Sequence, residues 1–256
     1  MENKRKIECL IAESIEELSR LQKRMPNEFR DAPPVLWFGD ICTEKPRVLV
    51  VSANPNRPDL PEENPRISYS EIWKKGGRDI KALQNDFNNY FFHNPSTKWF
   101  GKYSKQEKDE SQQGRIEDFL NGLDASFYGE KKYQAIHIDL LPFSTETTFT
   151  EIDTEIMAVD GLTQWINNHL RQMIEIIKPQ VIIVNGSTNF EYFNLCVNLG
   201  AQPYQIHKFN NTIIWRSAHH PSMPPVIGIS TNMGSYCRKK WNELYELGKY
   251  IKANIL

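Results

Sequence analysis

The sequence predicts a single α/β domain in which a parallel sheet of four strands lies between two layers of helices. Short apolar runs rich in β-branched residues, typical of strands buried on both faces, alternate with amphipathic helical patterns along the chain. At 256 residues the chain can form one large core, and no internal repeat or linker divides it. Strands separated by helices imply right-handed crossovers and a three-layer α/β/α arrangement.

Six helices are predicted, mainly from apolar residues three or four positions apart. The clearest covers residues 163–178, where Ile166, Leu170 and Met173 lie on one face before Lys178-Pro179 ends the pattern. The six cover residues 3–24, 78–92, 115–123, 163–178, 188–199 and 235–252. We interpret residues 1–256 as one domain, with 1–46 as an N-terminal helical extension and 233–256 as a C-terminal helix.

Four strands are predicted at residues 47–53, 134–141, 181–187 and 212–219. Polar residues and Pro or Gly follow each of them. In an open α/β sheet, ligands bind beyond the carboxyl ends of the parallel strands. We therefore expect Asn54, Asp139 and His220, which stand at three of these ends, to line one cleft.

Composition restricts the class of protein. The formal net charge is −1, so tight unspecific binding over a long stretch of nucleic acid is not expected, although a local basic face stays possible. No apolar run approaches the roughly 20 residues that span a bilayer, and the N-terminus lacks the apolar core of a signal peptide. The sequence predicts a cytoplasmic protein with no membrane partner. The spacing of its four cysteines fits neither a zinc nor an iron–sulfur site, and no metal or other cofactor is predicted.

The strand ends together resemble the uracil-DNA glycosylase superfamily. Residues 52–56 (Ser-Ala-Asn-Pro-Asn) are similar to the Gly-x-Asn-Pro-Gly motif of its mismatch-specific and single-strand-selective branches. Residues 220–222 match the His-Pro-Ser that follows the last strand of the family. Residues 139–142 (Asp-Leu-Leu-Pro) fall where single-strand-selective members carry Asn-x-x-Pro. The resemblance covers roughly residues 45–225.

The resemblance implies a DNA glycosylase that hydrolyses the N-glycosidic bond of uracil or a related damaged base in DNA, with two catalytic residues. Asn54 would position the attacking water, and an amide there cannot act as a general base. His220 would donate a hydrogen bond to the pyrimidine oxygen and so stabilise the departing anion.

The same resemblance suggests the residues that contact the substrate. A flipped base must be held by its face and read at its edge. Substrate contacts are expected from Ser52, Asn56, Asp139 and Ser222, stacking from Tyr69 and Trp73, and insertion into the duplex from Met223 or Val226. The motifs also depart from the family, because Ser52 and Asn56 replace glycines and Asp139 replaces a neutral amide. A carboxylate at 139 accepts from a pyrimidine N3–H but repels O4, and it could instead read an amino group, as on cytosine.

Two alternatives remain open at this point. The chain could be a superfamily member that has lost excision and binds a nucleotide, nucleic acid or protein partner, which the motif departures favour. It could also be a metal-dependent hydrolase, because His137 and Asp139 alternate onto one face of a strand and His219 or His220 could complete a site.

Overall fold

The structure is a computed structural model that describes residues 2–54, 79–93, 96–97, 100–102, 112–129, 131–147, 149–197, 205–217, 223–233 and 237–256. These residues contain seven helices and nine strands. The helices are α1 (Glu2–Arg24), α2 (Ile80–His93), α3 (Ile116–Gly122), α4 (Phe149–Met157), α5 (Leu162–Ile177), α6 (Ser187–Val197) and α7 (Trp241–Asn254). The strands are β1 (Arg47–Ser52), β2 (Ser96–Thr97), β3 (Gly101–Lys102), β4 (Ala125–Ser126), β5 (Tyr133–Asp139), β6 (Val181–Asn185), β7 (Gln205–Phe209), β8 (Thr212–Arg216) and β9 (Val226–Ile229).

The chain has a mixed α/β fold built on one seven-stranded sheet in the order β4-β5-β1-β6-β9-β8-β7. The neighbours from β4 to β9 pair in parallel, as the alternation of strands and helices predicts. The central strands β1 and β6 are buried along almost their whole length, which explains their continuous apolar sequences. The predicted four-stranded sheet is wrong in size, because two short or polar strands and one glycine-containing strand also join it.

Strand β8 differs most from its prediction. Residues 212–219 are predicted as the fourth parallel strand, but β8 is antiparallel to both β7 and β9. A two-residue turn joins β7 to β8, with Asn210 at φ 51, and such turns connect antiparallel strands. The place beside β6 is taken by β9, which is not among the four predicted strands.

The N-terminal helix belongs to the main core. Leu10, Ile11, Leu18 and Leu21 of α1 are almost fully buried and join the same hydrophobic cluster as β1, β5 and β6. The apolar face of α1 is thus packed into the same core as the sheet. Within the described ranges, every helix is too short or too polar to span a lipid bilayer.

Candidate functional site

Strands β1 and β5 stay paired beyond their last residues. Leu140 donates its backbone N–H to the carbonyl of Ser52 at 2.9 Å, and Leu141 donates to the carbonyl of Ala53 at 3.0 Å. These bonds hold Asn54 next to the segment that follows β5. We call this side of the sheet, where β1, β5, β6 and β9 end, the carboxyl end.

Three polar side chains form a row across the carboxyl end. Ser52 is paired in register with Asp139, so both side chains project from the same face of the sheet. From β6, Asn185 donates through Nδ2 to the Ser52 hydroxyl at 3.4 Å. The Asn185 Oδ1 accepts the backbone N–H of Met233 at 2.8 Å. Because Asn185 ties β1 to the residues after β9, its role is to hold the row together.

Asn54 is fixed by the segment that follows β5. Its Nδ2 donates to the Thr145 hydroxyl at 2.9 Å and to the Phe143 carbonyl at 3.4 Å. Thr145 in turn donates its hydroxyl to the carbonyl of Thr147 at 2.7 Å, which leaves its oxygen oriented as an acceptor for Asn54. In the described part of the chain, the hydrogen bonds of this amide all use its nitrogen. The carbonyl Oδ1 is the end that can accept from a ligand or a water molecule.

Asp139 is held by His137 on the same face of β5. The two side chains are each 4% exposed, and His137 Nε2 lies 3.0 Å from Asp139 Oδ1. Their predicted position on one face of the strand is therefore confirmed. The His137 ring lies between aromatic rings, with centroid distances of 5.8 Å to Phe38 and 4.8 Å to Phe100.

The surroundings of His137 determine its tautomer. Nδ1 is buried without a hydrogen-bond partner among the described residues. A carboxylate oxygen can only accept, so a ring with its hydrogen on Nε2 fits the 3.0 Å contact, and in it His137 donates and Asp139 Oδ1 accepts.

The fourth predicted strand does not end at the carboxyl end of the sheet. Because β8 is antiparallel to β9, its carboxyl end lies at the opposite, amino end of the sheet. Ser217, the described residue after β8, donates its backbone N–H to Val226 at the start of β9. The structure brings Ser52, Asn54 and Asp139 together. His220, with Ser222, Asn56, Tyr69 and Trp73, lies outside the described residues.

The two predicted wedge residues lie inside the protein. Val226 is fully buried in β9, and Met223 is 7% exposed. A side chain that inserts between bases has to project from the surface, so this placement argues against a wedge role for either. Pro224-Pro225 and the apolar strand after them explain why the segment packs inward.

A concave feature lies at the amino end of the sheet. It is a cleft of about 330 Å³ whose charged residues are Arg171, Glu175 and Lys178. Glu175 pairs with Lys6 at 2.8 Å, and Arg171 donates to the Val197 carbonyl at 2.7 Å. The rest of the lining is apolar and comes from Ile174, Pro179, Met223 and Pro224.

Two buried ionisable groups lie away from the polar row. Burial raises the pKa of the Glu117 carboxyl to about 7, although Ser126 and the backbone N–H of Phe127 donate to it. Burial also lowers the pKa of His169 to about 3, and neither ring nitrogen has a partner among the described residues. The His169 ring stacks on Trp165 at a centroid distance of 4.9 Å.

A metal site is not evident in this part of the chain. Among the described residues, no three His, Cys, Asp or Glu side chains lie close enough together to hold an ion. His137 and Asp139 supply two of the ligands predicted for a metal site, and they bond to each other. His219 and His220, the predicted third ligands, fall outside the described ranges.

Comparisons with known proteins leave the family open. No protein-family model matches the chain, and no curated protein matches it. The function is therefore inferred from the chemistry of the polar row and not from a related protein.

Proposed function

We propose that the chain is an N-glycosidic hydrolase of the uracil-DNA glycosylase type, which binds DNA and removes uracil or a related damaged base at the carboxyl end of the sheet. The observation that carries the proposal is the orientation of the Asn54 amide, fixed by Thr145 and Phe143 beside the row of Ser52 and Asp139. A neutral acceptor held in one direction is suited to positioning a water molecule.

In the proposed reaction, Asn54 Oδ1 accepts a hydrogen bond from the attacking water. The bond between C1′ of the sugar and the base nitrogen breaks, and its electron pair stays on the base. The water oxygen bonds to C1′, and the water proton passes to the departing base. Because an amide does not take this proton, Asn54 orients the nucleophile without acting as a base.

Ser52 is placed to stabilise the departing base. Its oxygen accepts from Asn185 Nδ2, so its own hydrogen is available to a ligand. A donor held in place before the reaction is worth about 3–4 kcal/mol when negative charge develops opposite it. In this proposal Ser52 takes the role that the sequence motif suggests for His220.

A second candidate is a protein that binds a nucleobase without excising it. The direction of β8 favours this candidate, because the strand that leads into the His-Pro-Ser motif ends on the opposite side of the sheet from Asn54. Without a donor in the role that the motif suggests for His220, a site at the carboxyl end would keep affinity for the base and lose most of the rate.

The two candidates differ in base release. Single-stranded and duplex oligonucleotides with uracil, hypoxanthine, xanthine, mismatched thymine or oxidised guanine would be incubated with the full chain, Asn54→Ala, His220→Ala and the exposed control Asn168→Ala. Base release that Asn54→Ala abolishes and Asn168→Ala retains supports the hydrolase. Binding that depends on Asn54 without any release supports the second candidate. Neither release nor binding with any oligonucleotide contradicts both, and loss of release in His220→Ala alone contradicts a site centred on Asn54.

A further inference from the structure

The hydrogen-bonding capacity of Asp139 points to a particular class of base. Its Oδ1 already accepts from His137 Nε2 at 3.0 Å, and Oδ2 has no hydrogen bond within the described part of the chain. A carboxylate oxygen can accept more than one hydrogen bond, so both oxygens can still accept. Neither oxygen can donate while Asp139 is a carboxylate. The Nε2–H of His137 already donates to Oδ1.

The neighbours of Asp139 add another acceptor. Asn54 Oδ1 is the accepting end of its amide, because Nδ2 is held by Thr145 and Phe143. The Ser52 hydroxyl supplies one hydrogen, since its oxygen is taken by Asn185. Asp139 and Asn54 therefore offer a ligand mostly acceptors, and a ligand that presents N–H groups suits them best.

The edges of the common bases differ in this respect. Uracil presents one N–H between two carbonyl oxygens, so a carboxylate that accepts from N3–H sets its second oxygen against a carbonyl. Cytosine and adenine present an amino group beside a ring nitrogen that also accepts. Guanine presents N1–H and its 2-amino group side by side, which match the two oxygens of one carboxylate.

We propose that Asp139 recognises the 2-amino-6-oxopurine edge of a guanine-type base, such as an oxidised guanine in DNA. The proposal rests on the proposed function, because it requires that the carboxyl end of the sheet binds a nucleobase. His137 acts as a positioning residue, since its hydrogen bond holds the plane of the carboxylate. The related damaged base of the proposed function is then a damaged guanine.

Binding of free nucleosides tests the inference on the full chain. Titration calorimetry would compare guanosine, inosine, which lacks the 2-amino group, and uridine. Guanosine should bind about 10- to 100-fold more tightly than inosine, because inosine keeps N1–H but loses the second hydrogen bond of the bidentate contact, and uridine should bind more weakly still.

Asp139→Asn provides the matched variant, with Asp160→Asn on an exposed position as its control. An asparagine offers one acceptor and one donor, which suit N1–H and O6 of inosine or N3–H and O4 of uridine. Guanosine presents the same N1–H and O6 as inosine, so the variant should lose the preference for guanosine over inosine, while Asp160→Asn keeps the original order.

The outcomes separate this inference from the proposed function. If the unmodified protein binds uridine as tightly as guanosine or more tightly, the inference is overturned, while a nucleobase site stays in place. An unchanged order in a folded Asp139→Asn protein overturns it as well. If the unmodified protein binds none of the three nucleosides, both proposals fail. If the Asp139→Asn variant does not fold, the order of nucleoside affinities in the unmodified protein alone decides whether the site prefers guanine.

Discussion

Asn54 and Thr145 are 91 positions apart in the sequence, yet the amide nitrogen of Asn54 donates to the hydroxyl oxygen of Thr145 at 2.9 Å. Thr145 is 3% exposed and belongs to the segment after β5. The segment after β5 thus orients Asn54, which follows the neighbouring strand β1. The same relationship determines which end of the Asn54 amide can act on a ligand.

The first prediction concerns this hydrogen bond. Thr145→Val keeps the shape of the side chain and removes the acceptor, so the Asn54 amide should lose its fixed orientation. Base release should fall about tenfold or more in kcat with little change in KM, because only the water is misplaced. Stability should fall by about 1 kcal/mol, measured by urea unfolding. Thr145→Ser restores the acceptor and should restore kcat, and a Thr145→Val protein with normal kcat would contradict the orienting role.

The second prediction concerns the buried pair of His137 and Asp139. His137→Phe keeps an aromatic ring among Phe38 and Phe100 but leaves the carboxylate without its donor, which should cost about 1–3 kcal/mol in the free energy of unfolding. In the double variant His137→Phe with Asp139→Leu, no buried carboxylate remains. Its cost should therefore be smaller than the sum of the two single costs. Additive costs in urea unfolding would show that the two side chains do not interact.

The third prediction is a pH effect from His169. Its pKa is lowered by burial from 6.5 to about 3, so the unfolded chain binds more protons than the folded chain between these values. Stability should fall as the pH drops below 6.5, by about 2 kcal/mol at pH 5 from this group. His169→Phe keeps the stacking on Trp165 and should reduce the loss between pH 7 and pH 5 by that amount.

Chemical unfolding at both pH values measures this contribution. His169→Asn serves as the comparison, because it also removes the titrating group but buries another polar side chain and should destabilise the protein at every pH. An unchanged pH dependence in His169→Phe would mean that His169 is not buried in its neutral form.

The fourth prediction is a pH effect from Glu117, whose sign is opposite to that of His169. Burial raises the pKa of Glu117 from 4.5 to about 7, so the folded chain binds the extra proton in this interval. The stabilising contribution is complete below pH 4.5 and is lost as the pH rises through about 7, with a total of about 3 kcal/mol. Glu117→Gln stays neutral and should unfold with a smaller difference between pH 5 and pH 8. The exposed control Glu155→Gln should keep the original difference, and identical profiles for Glu117→Gln and the unmodified protein would refute the assignment.

The parts of the fold that local patterns determine are the parts that the sequence predicts. Helix α5 is expected at 163–178 and found at Leu162–Ile177, because its apolar face and its Lys178-Pro179 end are both local signals. The buried strands β1 and β6 are predicted for the same reason. Their continuous apolar sequences have few other ways to be buried in a chain of this length.

Long-range pairing explains the errors. Gly228 and the prolines before β9 interrupt its apolar run, and its strand structure depends on pairing with β6 and β8. The neighbouring β8 has a strand sequence, but its direction is decided by the short turn at Asn210 and by the partner it meets. A strong local pattern therefore predicts that a strand exists without predicting which end of the sheet it reaches.

The candidate site also has a part that sequence order predicts and a part that depends on long-range contacts. Ser52, Asn54 and Asp139 end or follow parallel strands, so sequence order suffices to bring them to one end of the sheet. The supporting contacts of Thr145, Asn185 and Met233 depend on pairs distant in sequence and carry no motif. His137 is an intermediate case, since a spacing of two on a strand places it beside Asp139 but does not reveal its aromatic surroundings.

The central claim is that an oriented Asn54 at the carboxyl end of the sheet promotes hydrolysis of an N-glycosidic bond. The most direct measurement is single-turnover base release from an oligonucleotide panel with uracil, hypoxanthine, xanthine, mismatched thymine and oxidised guanine. The unmodified chain should release at least one of these bases, and the rate should be lower by about 100-fold or more in Asn54→Ala, with Asn168→Ala unaffected. Release at the same rate in Asn54→Ala, or no release of any base, would contradict it.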